Sequence, residues 1–197
     1  MNLKYIRLNP YQLLVLVFLF FIILGTLLLK LPFSTTSSVS WVDALFTTTS
    51  AMTVTGLAVV DTGTAYTIFG QLVIFLLIQV GGLGIMSFAV LILIMLGKKI
   101  GFKERLIVQQ ALNATSIGGV IKLVKHLFIY SFTIEILAML LLSIKWVPEY
   151  GWAKGMYYSF FHSISAFNNA GFSIWSDNLM KYVGDPLVNL VISFLFI

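Results

Sequence analysis

Apolar runs of membrane-crossing length alternate along the chain with short polar segments. A transmembrane helix needs about 20 mostly apolar residues. Three runs reach this length and a fourth is shorter; they extend over Tyr11–Leu29, Tyr66–Gly97, His126–Ile144 and Leu187–Ile197. The last run is too short to cross a bilayer at about 1.5 Å of rise per residue. We therefore expect three complete spans, the beginning of a fourth, and a natural protein that continues past Ile197.

A shorter apolar helix is predicted between the first two runs, over Trp41–Met52. Ser40 and Asp43 have the spacing of a capping box, in which each side chain satisfies a free backbone N–H at the helix start. A segment rich in threonine and glycine, 53–57, follows this helix. The region is too polar to span and too apolar for an ordinary loop.

The same arrangement returns between the third and fourth runs, where a helix is predicted over Met156–Phe167 before residues 168–173. An offset of 115 residues brings identical residues into register, and the matched pairs are Phe46 with Phe161, Ser50 with Ser165, Ala51 with Ala166, and Gly56 with Gly171. Internal repeats of this kind decide the architecture. We predict an all-α integral membrane protein made of repeated outer helix–pore loop–inner helix units. The first unit is 1–97, a cytoplasmic connector is 98–125, and an incomplete second unit is 126–197.

Composition and charge support a membrane location. The chain is 59% hydrophobic and only 10% charged, whereas soluble domains carry about 25% charged residues. Lysine and arginine are concentrated before the first run and in the 98–125 connector, so the positive-inside rule predicts a cytoplasmic N-terminus and connector. Because the net charge of +5 follows this topology, we expect no nucleic-acid partner.

The two glycine segments are candidates for an ion path. Non-helical backbone at membrane depth is tolerated where it is buried in protein or lines a water-filled cavity, and potassium filters use backbone carbonyls. The candidate ion-binding residues are Thr53, Val54, Thr55, Gly56, Leu57, Asn168, Asn169, Ala170, Gly171 and Phe172. Neither segment contains a carboxylate, which favours a monovalent cation over calcium. Potassium and sodium stay equally open here, as does a plain glycine turn between two half-helices.

Other residues have structural alternatives. Gly81, Gly82 and Gly84 could form a hinge or allow close helix packing. Glu135 lies in the middle of an outer helix, where a buried acid is a functional candidate, but a structural role is favoured. His126 and His162 lack a second ligand at metal-binding spacing, so we expect no transition metal. Neither repeat supplies a nucleophile motif to accompany Glu135 and His126, so we expect no catalytic site and no enzyme activity.

Three stretches of sequence resemble the Trk/Ktr/HKT superfamily of cation transporters, closest to the membrane subunits of bacterial Ktr systems. The stretches are TTTSAMTVTGLAVVDTGTAY, GQLVIFLLIQVGGLGIMSF and FHSISAFNNAGFS. The resemblance implies four repeated units around one pore, with the backbones of 54–57 and 169–172 in the filter and Thr53 and Asn168 at its inner edge. It also implies potassium as the transported ion, although a sodium-selective or non-selective monovalent cation channel remains the alternative.

The resemblance carries expectations about location and partners as well. It implies a multi-pass protein of the bacterial plasma membrane, surrounded by lipid and assembled as a homodimer. It further implies gating by a cytosolic ring of nucleotide-binding subunits of the KtrA type. No glycine-rich nucleotide motif occurs in this chain, so we expect no cofactor here, and nucleotide binding would belong to the ring.

Overall fold

A computed structural model describes residues 10–84 and 120–196, together with Ser87, Leu106 and Gln109. The elements in these ranges are the helices α1 Pro10–Leu29, α2 Trp41–Met52, α3 Thr62–Ala65, α4 Ile68–Gly82, α5 Val120–Tyr150, α6 Trp152–Phe167 and α7 Pro186–Leu195, with a 3-10 helix at Met180–Tyr182. The described part of the chain contains no strand, only an isolated bridge between Thr35 and Tyr66. The expected all-α fold is confirmed for these residues.

The first short helix forms as predicted. The Ser40 hydroxyl accepts a hydrogen bond from the Asp43 N–H at 3.1 Å, and the Asp43 carboxylate accepts one from the Ser40 N–H at 3.2 Å. This reciprocal pair is the predicted capping box. It sets the residue at which α2 begins, and thereby the position of the loop that follows α2.

Loss of this cap is expected to weaken the first unit. Ser40→Ala removes the acceptor for the Asp43 N–H and should lower the free energy of unfolding by about 1 kcal/mol. Thermal unfolding of the protein purified in detergent checks this, with Ser40→Thr as the control that keeps a hydroxyl. Equal losses for both variants would show that the hydroxyl does not act as the cap.

Several predicted boundaries shift. Helix α5 continues beyond Ile144 to Tyr150 and passes through Pro148 near its end, although proline has no N–H to donate to the carbonyl of Ile144 one turn earlier. Gly151, with φ of 82°, separates α5 from α6, so α6 begins at Trp152 instead of Met156. The φ of 82° and ψ of 164° at Gly151 form a combination that is essentially confined to glycine.

The second apolar run is described only in part. Its helix, α4, ends at Gly82, and Gly84 has a φ of 82°. The rest of this run and most of the connector 98–125 lie outside the described residues, although 120–125 form the first turns of α5.

Among the described helices, the segment Ile121–Tyr150 is long and apolar enough to cross a membrane. Only 28% of the most apolar 18-residue stretch of this helix is buried inside the protein, so most of its apolar surface faces outward. Shorter apolar helices cover Leu14–Leu29, Ile68–Gly82 and Pro186–Leu195. Large outward-facing apolar surfaces are uncommon on soluble monomers and mark contact with lipid or protein.

Among the described residues, two buried clusters hold the helices together. The larger cluster packs α1, α2 and α4 against α6 and includes Met52, Ile74 and Phe161. The smaller one packs α5 against α7 around Leu142 and Trp146. The larger core therefore joins the two short helices, α2 and α6, that precede the glycine segments.

Candidate functional site

Both short helices lead into a segment without helical structure. We call residues 53–57, after α2, the first loop and residues 168–172, after α6, the second loop. Together they comprise the ten residues that the sequence singles out for an ion path. The C-terminal end of a helix carries partial negative charge, and each loop begins at such an end.

The two loops turn back on their helices through the same backbone hydrogen bond. The Ser50 carbonyl accepts from the Thr55 N–H at 2.9 Å, and the Ser165 carbonyl accepts from the Ala170 N–H at 2.7 Å. Both pairs are related by the sequence offset of 115 residues. The two loops therefore make the same backbone turn at positions 115 residues apart.

The same serines also bind the far end of each loop through their hydroxyls. Ser50 Oγ accepts from the Leu57 N–H at 2.9 Å, whereas Ser165 Oγ donates to the Phe172 carbonyl at 2.6 Å. In the second loop this hydroxyl therefore occupies one acceptor site on the Phe172 carbonyl. Both serine hydroxyls therefore hold the end of their loop, Ser50 as a hydrogen-bond acceptor and Ser165 as a donor.

Left-handed backbone conformation occurs twice in each loop. Gly56 and Gly171 have φ of 80° and 68°, and Val54 and Asn169 have φ of 55° and 58°. A β-branched residue in this region is a genuine outlier, and such strain persists where the surroundings enforce it, often at functional sites. Sequence reasoning anticipated the glycines but missed Val54. The sequence contained one clue to the conformation of Val54. At the offset of 115 residues Val54 aligns with Asn169, and asparagine tolerates the left-handed conformation.

The loops meet at their glycines. A Cβ built on Gly56 would lie 2.6 Å from the carbonyl oxygen of Ala170 and 3.2 Å from the Cα of Gly171. A Cβ on Gly171 would lie 3.3 Å from the Cα of Gly56. Backbone therefore packs directly on backbone here, which only glycine permits at such a distance.

A polar cavity of about 300 Å³ opens beside the glycines, between the two loops and the segments that follow them. Asp61 lines it, together with Ser173 and Ser176. Partial burial raises the pKa of the Asp61 carboxyl, but hydrogen bonds from Ser176 and from the backbone of Thr64 and Gly63 outweigh it and leave the pKa below its ordinary value. This cavity thus contains a negative charge at neutral pH, which attracts cations.

Thr53 and Asn168, the matched residues at which the two loops begin, differ in exposure and in hydrogen bonding. The exposed Thr53 hydroxyl bonds to the Thr49 carbonyl and to the Thr55 hydroxyl, both at 2.7 Å. Asn168 is only 8% exposed, and its side chain points into the protein. The first loop therefore presents hydroxyls at this end, whereas the second loop uses its side chain for internal contacts.

Asn168 contacts two further buried polar residues, Gln79 of α4 and Glu135 of α5. Its Nδ2 donates to Gln79 Oε1 at 3.0 Å and to Glu135 Oε1 at 3.3 Å. The sequence favoured a structural role for Glu135 on an outer helix and did not connect it with either loop. The fold places it against the base of the second loop, and no periodicity in the sequence could have indicated this contact.

The α4 glycines adjoin the base of each loop. A Cβ on Gly81 would lie 2.1 Å from the Met52 carbonyl oxygen, and one on Gly82 would lie 2.0 Å from Asn168 Oδ1. Side chains at these two positions would displace the end of α2 and the start of the second loop. Gly84 lies beyond the helix, and a Cβ there would have 3.9 Å to its nearest neighbour.

His162 supports the outer side of the second loop. It is 3% exposed, its Nε2 lies 3.0 Å from the Ser173 hydroxyl, and its ring stacks on Trp175 with centroids 4.3 Å apart. Within the described residues, no group of three histidine, cysteine or acidic side chains could hold a metal ion. His126 is separate and bonds to the Lys122 carbonyl of its own helix.

Comparison with known proteins shows which protein family the chain belongs to. The sequence profile of the TrkH family, described as cation transport protein, matches residues 7–197. The chain therefore belongs to the TrkH family of cation transport proteins, which confirms the resemblance seen in the loop sequences. This is a family of transporters and not of enzymes.

Individual members of the family that resemble this chain are named as uptake proteins for potassium, or for potassium and sodium. The chain is 65% identical, over 98% of its length and 44% of the relative, to Ktr system potassium uptake protein B of Bacillus subtilis (strain 168). It is 42% identical, over 94% of its length and 41% of the relative, to the protein of the same name from Vibrio alginolyticus. It is 40% identical, over 97% of its length and 43% of the relative, to potassium/sodium uptake protein NtpJ of Enterococcus hirae. The chain thus spans less than half the length of these curated relatives.

Proposed function

We propose that this chain contributes to potassium uptake across a bacterial plasma membrane and that its two loops line part of the ion path. The family places the chain among cation transport proteins, and two relatives are named for potassium uptake. The observation that carries the role of the loops is the pair of left-handed backbones meeting at Gly56 and Gly171.

Backbone carbonyls are the proposed ion ligands. Residues 53–57 and 168–172 contain no carboxylate, so neutral oxygens would replace the water shell of a monovalent cation. Left-handed residues alternating with their neighbours change the direction of successive carbonyls. The strained φ of Val54 supports a functional constraint on this backbone, because strain of this kind costs of order 1–3 kcal/mol.

The proposed arrangement of the helices in the membrane follows from the repeat of 115 residues in the sequence. We propose that α1, α2 and α4 form an outer helix, pore helix and inner helix, and that α5, α6 and α7 repeat them. The N-terminus and the 98–125 connector would face the cytoplasm. Two copies would form a dimer in lipid, and a cytosolic nucleotide-binding ring would gate transport.

A second candidate function is transport of sodium, alone or together with potassium. One relative, 40% identical, carries the name potassium/sodium uptake protein. Composition of the loops separates monovalent from divalent cations but does not separate these two ions. The distinction depends on the spacing of oxygens around the complete ion path.

Ion uptake in a host that lacks its own potassium-uptake systems tests the proposal. The full-length protein should restore growth at low potassium and take up rubidium as a potassium tracer, with little competition from sodium. Strong sodium uptake or equal competition would establish the second candidate instead. Absence of cation uptake, with the protein present in the membrane, would overturn both.

A further inference from the structure

A carboxyl group in the middle of α5 is buried without a cationic partner among the described residues. Glu135 is 3% exposed, and the ion pairs in this part of the chain join Lys145 with Asp185 and Lys181 with Glu149. Burial of an unpaired carboxylate is costly. An acid inside a membrane span is therefore expected to have a specific role.

Neutral amides surround this carboxyl in a closed arrangement. Gln79 Nε2 donates to both oxygens of Glu135, at 2.9 and 3.0 Å. Asn168 Nδ2 donates to Glu135 Oε1 at 3.3 Å and to Gln79 Oε1 at 3.0 Å. Each of the three side chains bonds to the other two. The cluster thus connects α4, α5 and the second loop through buried hydrogen bonds, which are strengthened by the low local dielectric.

The asparagine is held in a slot that fits it closely. Gly82 lies one turn after Gln79 on α4, and a Cβ there would lie 2.0 Å from Asn168 Oδ1. Asn168 Nδ2 also lies 3.0 Å from the Ile164 carbonyl at the end of α6, so its two N–H groups are shared among three acceptors. Its Oδ1 is buried without a hydrogen-bond partner among the described residues. Asn168 directly precedes the left-handed Asn169. Its orientation therefore determines how the second loop leaves its helix.

Among the described residues, the first loop has no equivalent of this cluster. The Thr53 side chain, at the position matching Asn168, is exposed and bonds within its own helix and loop. The base of the second loop is therefore held by side-chain hydrogen bonds to α4 and α5, whereas the first loop contacts α4 through the packing of Gly81 on Met52.

We propose that Glu135 and Gln79 are positioning residues that act through Asn168 to set the ion selectivity of the second loop. This inference rests on the proposed function. Glu135 accepts hydrogen bonds from both amides, and Gln79 donates to Glu135 and accepts from Asn168. Together they fix the loop backbone at the spacing that favours potassium over sodium.

Exchange of the two residues provides the test. Glu135→Gln replaces one carboxylate oxygen by an amide NH2, which then faces the Nε2 donor of Gln79. Gln79→Glu places two carboxyl groups side by side. Each single variant of the full-length protein should lower the ratio of potassium to sodium uptake about tenfold, the loss expected when one buried hydrogen bond becomes a mismatch. The double variant Glu135→Gln/Gln79→Glu restores donor–acceptor pairing and should return the ratio toward the wild-type value.

A matched control separates positioning from general stability. Ser131 is buried one turn earlier on α5, and its hydroxyl bonds to the Leu127 carbonyl of the same helix at 2.8 Å. Ser131→Ala should leave the uptake ratio unchanged even if it lowers the amount of protein. If Glu135→Gln does not accumulate, Glu135→Asp, which withdraws the carboxylate by one methylene, is measured against the same criterion.

Normal protein amounts with an unchanged uptake ratio in both single variants would overturn the proposal. So would a lowered ratio that the double variant fails to restore. The proposed function fails separately, since it requires selective potassium uptake by the wild-type protein. A selective wild-type protein with insensitive Glu135 and Gln79 variants would reject the positioning role alone.

Discussion

Gly56→Ser is expected to reduce the ratio of potassium to sodium uptake by about tenfold or more, because a left-handed conformation costs a non-glycine residue about 1–2 kcal/mol before any clash is counted. A clash adds to this cost. The new Cβ would lie 2.6 Å from the carbonyl oxygen of Ala170, and this atom belongs to backbone that has no free rotamer. The second loop would therefore have to move, and its carbonyls with it.

Gly171→Ser should have the smaller effect of the two. Its φ of 68° imposes a similar conformational cost, but the nearest atom to a Cβ there is the Cα of Gly56 at 3.3 Å. A shift of a few tenths of an ångström would relieve this contact. Competition between sodium and rubidium uptake, measured for both variants in the potassium-uptake-deficient host, gives the ranking.

Gly184→Ser is the matched control for both variants, since a Cβ at Gly184 has no neighbour within 4 Å. It should keep the wild-type ratio. Wild-type ratios for Gly56→Ser and Gly171→Ser, at normal protein amounts, would show that these glycines do not line the selective part of the ion path.

Gly63→Ala is expected to destabilise the protein by roughly 2–3 kcal/mol, the upper part of the range for overpacking. A Cβ on Gly63 of α3 would lie 1.9 Å from the carbonyl oxygen of Ile174 and 2.7 Å from its carbonyl carbon. Ile174 follows the second loop, so the contact joins the segments that follow the two loops, beside the polar cavity. Relief of the clash requires movement of one backbone relative to the other.

The expected loss can be measured as a lower midpoint of thermal unfolding in detergent. Gly184→Ala is the matched control, because it adds the same methyl group in open space. Equal midpoints for the two variants would show that α3 does not pack on Ile174. A loss confined to Gly63→Ala would locate the contact between the units at this backbone.

Local features of the fold were predictable because they depend on neighbouring residues in the sequence. Helix α2 has the predicted bounds Trp41–Met52, since the Ser40–Asp43 capping box acts over three residues. The apolar runs predicted α1 and α7 closely. Helix boundaries were less predictable where a single residue decides them. Gly151 interrupts the helical structure between α5 and α6, whereas Pro148 does not end α5.

The helical class, the repeated identities at an offset of 115 residues and the glycines at which the two loops turn could all be read from the sequence. These follow from hydrophobic pattern, caps and the conformational freedom of glycine, all of which are local properties. Three features became visible once the helices were packed in space: Gly56 packs on Gly171, Val54 is held in a left-handed conformation, and Glu135 bonds to Gln79 and Asn168. Such contacts join residues far apart in the chain, and they depend on how the helices pack in three dimensions, which no local pattern encodes.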